Sequence, residues 1–102
     1  MTIQQRAHVV DAITALQTYD TLMRQYSEVL EFHAQLRTKS PQALIRCAQM
    51  AEAGIKGAEL RIALQEAKKL ERSLQVYTDR LTELGKACET ARQLALAITH
   101  TL

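Results

Sequence analysis

The side chains best suited to chemistry in this 102-residue chain are its three histidines and two cysteines. A metal site in a helical bundle needs carboxylates and imidazoles at Glu-x-x-His spacing, and the adjacent Glu31, Phe32 and His33 do not have that spacing. Cys47 and Cys88 are isolated, with no Cys-x-x-Cys and no histidine at zinc-site spacing. We therefore predict no metal site and expect both cysteines to be small core hydrophobes.

Other routes to catalysis also lack support in the sequence. The two glycines of GIKG have neither the spacing nor the preceding strand of a phosphate-binding loop. No acidic pair lies on an apolar face, where burial would raise a carboxyl pKa for acid–base work. Cys88 as a nucleophile would need a nearby base or strongly positive surroundings, whereas its place in an apolar repeat indicates burial. We expect no enzymatic activity and no cofactor.

One set of side chains has the types and spacing of a partner-binding strip. Tyr19, Tyr26 and His33 recur every seven residues on one stripe of a helical pattern. Tyrosine is enriched at interaction hot spots, so this strip is a candidate for holding an amphipathic helix of another protein. In the competing interpretation, the three side chains pack in a helix–helix interface within the protein, and their polar end groups reach the rim of that interface.

A basic cluster supports an alternative in which the chain binds nucleic acid. Its members are Arg46, Lys56, Arg61, Lys68, Lys69 and Arg72. Cationic side chains here would contact phosphates. However, carboxylates are interleaved with them, at Glu52, Glu59, Glu66 and Glu71. The net charge is only +2, so a solvated, charge-balanced face competes with the nucleic-acid interpretation.

The composition predicts that helices carry all of these residues. The chain has 47% hydrophobic and 24% charged residues, which is typical of a globular protein. Strong helix formers dominate, and one proline and three glycines are too few for the frequent turns of an all-β fold. We predict an all-α chain.

Helix boundaries are predicted from caps and from breaks in the apolar period. Thr2 and Gln5 form a capping-box pattern at the first helix start. Ser40 and Pro41 predict a break, because serine is a good N-cap and proline fits the first helical position. The sequence AGIKG, where the apolar period slips, predicts a second break. We therefore expect one helical domain over residues 1–102, with helices at about 2–37, 41–53 and 58–102.

The third predicted helix carries an apolar seam with uninterrupted steps of three and four residues. Its main members are Leu60, Leu70, Leu74, Tyr77, Leu81, Leu84, Cys88, Ala91, Ala95 and Ile98. The phase crosses Gly85 unbroken, which predicts that the helix continues through this glycine at a cost of about 1 kcal/mol. A break at Gly85 would instead give a compact monomeric four-helix bundle, which is the alternative architecture.

These features predict an antiparallel helical bundle or hairpin with a long C-terminal coiled-coil helix. Because a first helix ending near residue 37 is too short to cover the third, the uncovered seam predicts an oligomer, most simply a homodimer. The function expected is a non-enzymatic protein–protein interaction module, an adaptor or chaperone-like protein that binds a partner's amphipathic helix. The alternative is a small nucleic-acid-binding dimer or ribonucleoprotein subunit that uses the basic cluster.

The sequence also predicts where such a chain would work. Single cysteines are usual in reducing compartments. The longest apolar run, LALAI at residues 94–98, is too short to span a bilayer, and no targeting segment is recognisable. We expect a cytoplasmic protein that does not insert into membranes.

Overall fold

A computed structural model describes residues 2–101 of the chain, and these residues form two long helices. Helix α1 spans Ile3–Glu52 and helix α2 spans Ala58–His100. No strand occurs among the described residues, so the all-α prediction is confirmed. Helix α2 passes through Gly85, as its apolar phase predicts, and the break required by the four-helix alternative is absent. Leu102, the predicted end of this helix, lies outside the described residues.

The predicted break at Ser40–Pro41 is wrong, because Pro41 lies inside α1. The seam of α1 keeps its three-and-four spacing across the proline, through the buried or half-buried His33, Leu36, Ser40, Ala43, Cys47 and Met50. Ser40 is 4% exposed and therefore packs in the seam instead of capping a new helix. Pro41 is exposed and has no N–H for the carbonyl of Arg37. Seam packing on both sides of the proline offsets that loss.

The turn at AGIKG is confirmed and has a specific hydrogen-bond pattern. The N–H of Gly54 donates to the carbonyl of Ala51 at 3.1 Å, and the N–H of Ile55 donates to the carbonyl of Met50 at 3.0 Å. These two bonds form a Schellman motif, which favours glycine in the left-handed conformation. Gly54 has φ of 80° and Gly57 has φ of 77°. Both glycines are thus needed to end α1 and begin α2.

The residues form two compact units, and both helices contribute to each. Unit 1 comprises residues 1–28 and 81–102, and unit 2 comprises residues 29–80. In unit 2 the turn joins the two helices into a helical hairpin, whose Phe32 and Tyr77 ring centroids lie 4.7 Å apart.

Unit 1 is also an antiparallel helix pair. His8 lies beside the carbonyl of Ile98 at 3.2 Å, and Tyr26 lies beside Gly85, so the two segments run in opposite directions. Its first helix begins with the predicted capping box. The N–H of Gln5 donates to Thr2 Oγ1 at 3.1 Å, and the N–H of Thr2 donates to Gln5 Oε1 at 2.8 Å.

The buried core of the two units consists mostly of small side chains. Its apolar members are Ala12, Ala15, Val29, Leu36, Cys47, Ala67, Cys88, Ala91 and Ala95. Ala67 is 0% exposed, and a side chain this small is covered only where the opposite helix approaches closely. Two helices cover only a narrow strip of each other. Accordingly, no large side chain among residues 2–101 is fully buried.

Candidate protein-interaction surfaces

The apolar seam of α2 packs against α1 of the same chain. In unit 1, Cys88 lines a groove with Tyr19 and Tyr26, and in unit 2, Tyr77 packs against Phe32. The large members of the seam remain half-buried, namely Leu60, Leu70, Leu74, Tyr77, Leu81, Leu84 and Ile98, while Cys88, Ala91 and Ala95 are buried. The seam therefore forms the contact between α2 and α1, and its large side chains stay partly exposed at the edges of that contact.

The length of α1 changes the reason for expecting an oligomer. Without a break at Pro41, α1 has 50 residues and α2 has 43. The first helix is thus not too short to cover the seam of the last. A second chain is no longer required by helix length, and any self-association has to be argued from the surface that the pair leaves exposed.

The predicted strip of Tyr19, Tyr26 and His33 also faces α2. All three side chains are half-buried. His33 Nε2 lies 2.9 Å from Thr78 Oγ1. Because the Thr78 hydroxyl donates to the carbonyl of Leu74 at 2.8 Å, it accepts the hydrogen bond from His33. The three side chains therefore lie at the helix–helix interface within their own units. This is the position expected of seam residues whose polar atoms reach the rim of the interface.

His8 Nε2 contacts both the carbonyl of Ile98 and the hydroxyl of Thr101. Cys47 and Cys88 are free thiols, and both are buried. Within residues 2–101, no three side chains of His, Cys, Asp or Glu come close enough to hold a metal ion.

All six members of the basic cluster are exposed, and all belong to unit 2. Lys56 lies in the turn and the other cations lie on the two helices. Arg46 shares a groove with Glu59 and Glu66. A phosphate approaching Arg46 would therefore meet two carboxylates, which weakens the electrostatic case for nucleic acid at this point.

That groove is a concave surface of unit 2 with a volume of about 660 Å³. We call it the charged groove. Its lining residues are Lys39, Gln42, Ala43, Arg46, Met50, Glu59, Ile62, Ala63, Glu66 and Leu70. Its apolar lining residues, which we call its floor, are Ala43, Met50, Ile62, Ala63 and Leu70.

The two rims of the charged groove have opposite charge. Lys39 and Arg46 lie seven residues apart on α1, and Glu59 and Glu66 lie seven residues apart on α2. Among the described residues, the ion pairs are all formed within one helix, and none joins the two rims. The groove therefore presents one positive and one negative edge along an apolar floor.

Sequence reasoning missed the charged groove because it ended a helix before Pro41. Lys39 and Arg46 share a helix face only if the helix continues through the proline. The signal that would have found it is the heptad step from His33 through Ser40 to Cys47, which is unbroken. The predicted break gave more weight to the local capping preferences of Ser40 and Pro41 than to this longer apolar repeat.

Many large apolar side chains remain exposed, all but Ile62 outside the charged groove. They are Ile3, Val10, Ile13, Leu16, Met23, Leu30, Phe32, Leu44, Ile45, Ile62, Leu64, Val76, Leu94 and Leu96. Single exposed apolar residues are common on protein surfaces. Here they accompany a core made mostly of small residues.

Comparison of the chain with protein families, with curated proteins and with solved structures gave no match. Neither α1 nor α2, within residues 2–101, has an apolar stretch of the length needed to cross a membrane.

Proposed function

We propose that this chain is a non-enzymatic protein–protein interaction module, an adaptor or chaperone-like protein that holds an amphipathic helix of a partner in the charged groove. The observation that carries the proposal is the apolar floor of this groove between rims of opposite charge. Helix-in-groove recognition places the apolar stripe of a helix on such a floor. The free thiols of Cys47 and Cys88 fit a reducing, cytoplasmic location.

The rim charges specify the chemistry of the partner. A helix lying along the groove would place one flank beside Lys39 and Arg46 and the other beside Glu59 and Glu66. The matching helix therefore has an apolar stripe with acidic residues on one side and basic residues on the other. Turning such a helix end for end exchanges its flanks, so the rims also select its direction. Charge pairs at an interface contribute specificity and association rate more than bulk affinity.

Three synthetic helical peptides would test this proposal by fluorescence anisotropy. All share one apolar stripe, and they carry glutamate and lysine on opposite flanks, glutamate on both, or lysine on both. We expect the mixed peptide to bind at least about 10-fold more tightly than either control, since each mismatched peptide places like charges against one rim. Equal binding of all three, or no binding, would rule out the charged groove as the recognition site.

A specificity switch in the protein completes the test. The double variant Lys39→Glu with Arg46→Glu makes both rims acidic, and it should prefer the peptide with lysine on both flanks. The matched control is Arg61→Glu with Lys68→Glu, which makes the same charge change at exposed residues outside the groove lining. The control should keep the preference of the unaltered protein.

Binding of nucleic acid by the basic cluster is the alternative function. The exposure of all six cations supports it, and the carboxylates of Glu59 and Glu66 oppose it. Binding to phosphates would be salt-dependent and would weaken in the Arg61→Glu, Lys68→Glu control. Salt-sensitive binding to RNA or DNA oligonucleotides, lost in that variant, would favour this alternative over the adaptor.

A further inference from the structure

We propose that, before a partner binds, the charged groove is covered by the charged groove of a second copy of this chain. This inference rests on the proposed function, because it names what occupies the same groove when the partner helix is absent. Two unit 2 hairpins would then form an antiparallel four-helix arrangement. The dimer is a closed form, and binding of the partner helix would separate the two copies.

The rim charges and the floor of the groove are both open to another molecule. Lys39, Arg46, Glu59 and Glu66 are exposed, and within the described part of the chain the ion pairs are formed by other side chains. On the floor, Ile62 is 55% exposed. A molecule that covers the groove must therefore bring an apolar surface between two edges of opposite charge.

Two-fold symmetry makes a second copy such a molecule. When two grooves face each other across a two-fold axis parallel to the helices, the α1 rim of each copy lies over the α2 rim of the other. The cationic rim with Lys39 and Arg46 then meets the anionic rim with Glu59 and Glu66, and this contact occurs twice. A two-fold axis across the helices would instead oppose like charges. Charge complementarity therefore favours the first orientation.

The register of the hairpin fixes which residues lie at the same level along the helices. Phe32 packs against Tyr77. Arg46 lies fourteen residues after Phe32, and Ala63 lies fourteen residues before Tyr77. Because the helices are antiparallel and rise equally per residue, Arg46 and Ala63 lie at about the same level. Both also line the charged groove.

This level places Arg46 between two carboxylates of the second copy. A two-fold axis parallel to the helices keeps levels unchanged, so Arg46 of one copy faces the level of Ala63 on α2 of the other. Glu66 and Glu59 lie three and four residues from Ala63, which is about 4.5 and 6 Å along the helix at ~1.5 Å per residue. The long arginine side chain therefore has a carboxylate within reach on either side.

Lys39 contributes less to this contact. By the same register it lies at the level of Leu70, with which it lines the groove. The exposed Lys69 is next to Leu70 and offsets the attraction between Lys39 and Glu66. The association therefore depends mainly on Arg46.

The interface is small, which suits a surface that a partner must reach. The lining from Lys39 to Met50 covers 12 residues of α1, about 18 Å at ~1.5 Å per residue. An interface of this length belongs to the small class, below about 1,200 Å² in total, whose complexes are transient. We therefore expect the dimer at high protein concentration.

Sedimentation equilibrium of the full chain tests the proposal, with circular dichroism to confirm helicity. The unaltered chain should approach the mass of two copies at high concentration. Arg46→Glu opposes like charges at both contacts, as does Glu59→Lys with Glu66→Lys, and each should raise the dimer Kd by at least about 10-fold. Arg61→Glu makes the same charge change as Arg46→Glu at an exposed residue outside the groove lining. It should leave the Kd within about threefold.

Mixing the two groove variants gives the sharper result. An equimolar mixture of Arg46→Glu with the Glu59→Lys, Glu66→Lys variant should dimerise about as tightly as the unaltered chain, because opposite charges again meet at both contacts. A monomeric mass of the unaltered chain at every concentration would overturn the proposal. A mixture that associates no more tightly than either variant alone would also overturn it.

This proposal and the proposed function can fail separately. The peptide with glutamate and lysine on opposite flanks should convert the dimer into complexes of one chain with one peptide. If the peptide binds a chain that is monomeric by itself, self-association is overturned and the adaptor function stands. If the mixed variants dimerise but the peptide does not bind, the adaptor function is overturned and self-association stands.

Discussion

Gly85 lies against the ring of Tyr26, and a methyl group at Gly85 would lie 3.7 Å from Tyr26 Cε2. This distance is an ordinary van der Waals contact, so the site has room for alanine. Gly85 lies within α2, and its φ is not positive. The glycine is therefore a tolerated interruption of the helix and not a turn.

Gly85→Ala should stabilise the chain by about 1 kcal/mol, because alanine loses less conformational freedom than glycine in a helix interior. Chemical denaturation followed by circular dichroism measures this change. Gly57→Ala is the matched control and should destabilise by about 1 kcal/mol or more, since φ at Gly57 is 77° and alanine is strained there. A loss of stability in Gly85→Ala would mean that Tyr26 cannot accept the added methyl.

Pro41→Ala should also stabilise the chain, by about 2 kcal/mol. Proline costs about 3 kcal/mol in a helix interior, and part of this is recovered because proline restricts the unfolded chain. Alanine would restore the N–H that the carbonyl of Arg37 lacks. Gln35→Ala, an exposed change in the same helix, should alter the unfolding free energy by only a few tenths of a kcal/mol. Destabilisation by Pro41→Ala would show that the continuous helix needs the proline geometry.

Ala67→Leu should destabilise the chain by about 1–3 kcal/mol, because overpacking forces adjacent helices or rotamers to shift. Ala67 is 0% exposed in the seam. Ala97→Leu makes the same substitution at an exposed position of α2 and should be nearly neutral. Thermal unfolding of both variants provides the measurement. A neutral Ala67→Leu would contradict the close helix approach at this position.

The pKa of Glu89 should lie below its ordinary value, chiefly because Arg92 donates hydrogen bonds to its carboxylate. Carbon-13 NMR titration of the Glu89 carboxyl would measure the shift. Arg92→Gln should raise the pKa of Glu89 back toward the ordinary value for glutamate. Gln93→Ala removes a weaker hydrogen bond of 3.2 Å and should change the pKa less. Equal shifts in the two variants would contradict the assigned cause.

The same pair gives a pH dependence of stability with a definite sign. A carboxyl group whose pKa is lowered on folding stabilises the folded state above its ordinary pKa, and this contribution is lost as the pH falls through the folded value. The stability difference between the unaltered chain and Arg92→Gln should therefore be full at neutral pH. It should shrink in acid, as the pH falls below the ordinary pKa of glutamate and through the lowered pKa of Glu89. Because both side chains are exposed, the effect should weaken at high salt.

The phase of α2 was predictable because an apolar period is a local property of the sequence. Leu60 to Ile98 repeat at steps that match 3.6 residues per turn, and one glycine at position 85 costs too little to interrupt them. The turn at Gly54 and Gly57 was predictable for a similar reason, since two glycines coincide with a slip in the period.

The break at Pro41 was mispredicted because a local preference was weighed without its tertiary context. Serine followed by proline favours a helix start, but Ser40 is buried at 4% exposure inside α1. That packing decides between a new helix and a continuous one. The charged groove depends on the outcome, since it brings Lys39 and Arg46 onto one face.

By itself, the sequence determined that the chain is helical, that a helix ends near Gly54 and that one face of α2 must be buried. These features follow from backbone preferences and from the repeat of apolar side chains, which act over a few residues. Only the tertiary structure decided that α1 of the same chain covers this face and that the helix survives Pro41. It also decided that opposite charges line the two rims of one groove. Such outcomes depend on which distant surfaces pack together, because the free energy of burial belongs to the pair of surfaces and not to either segment alone.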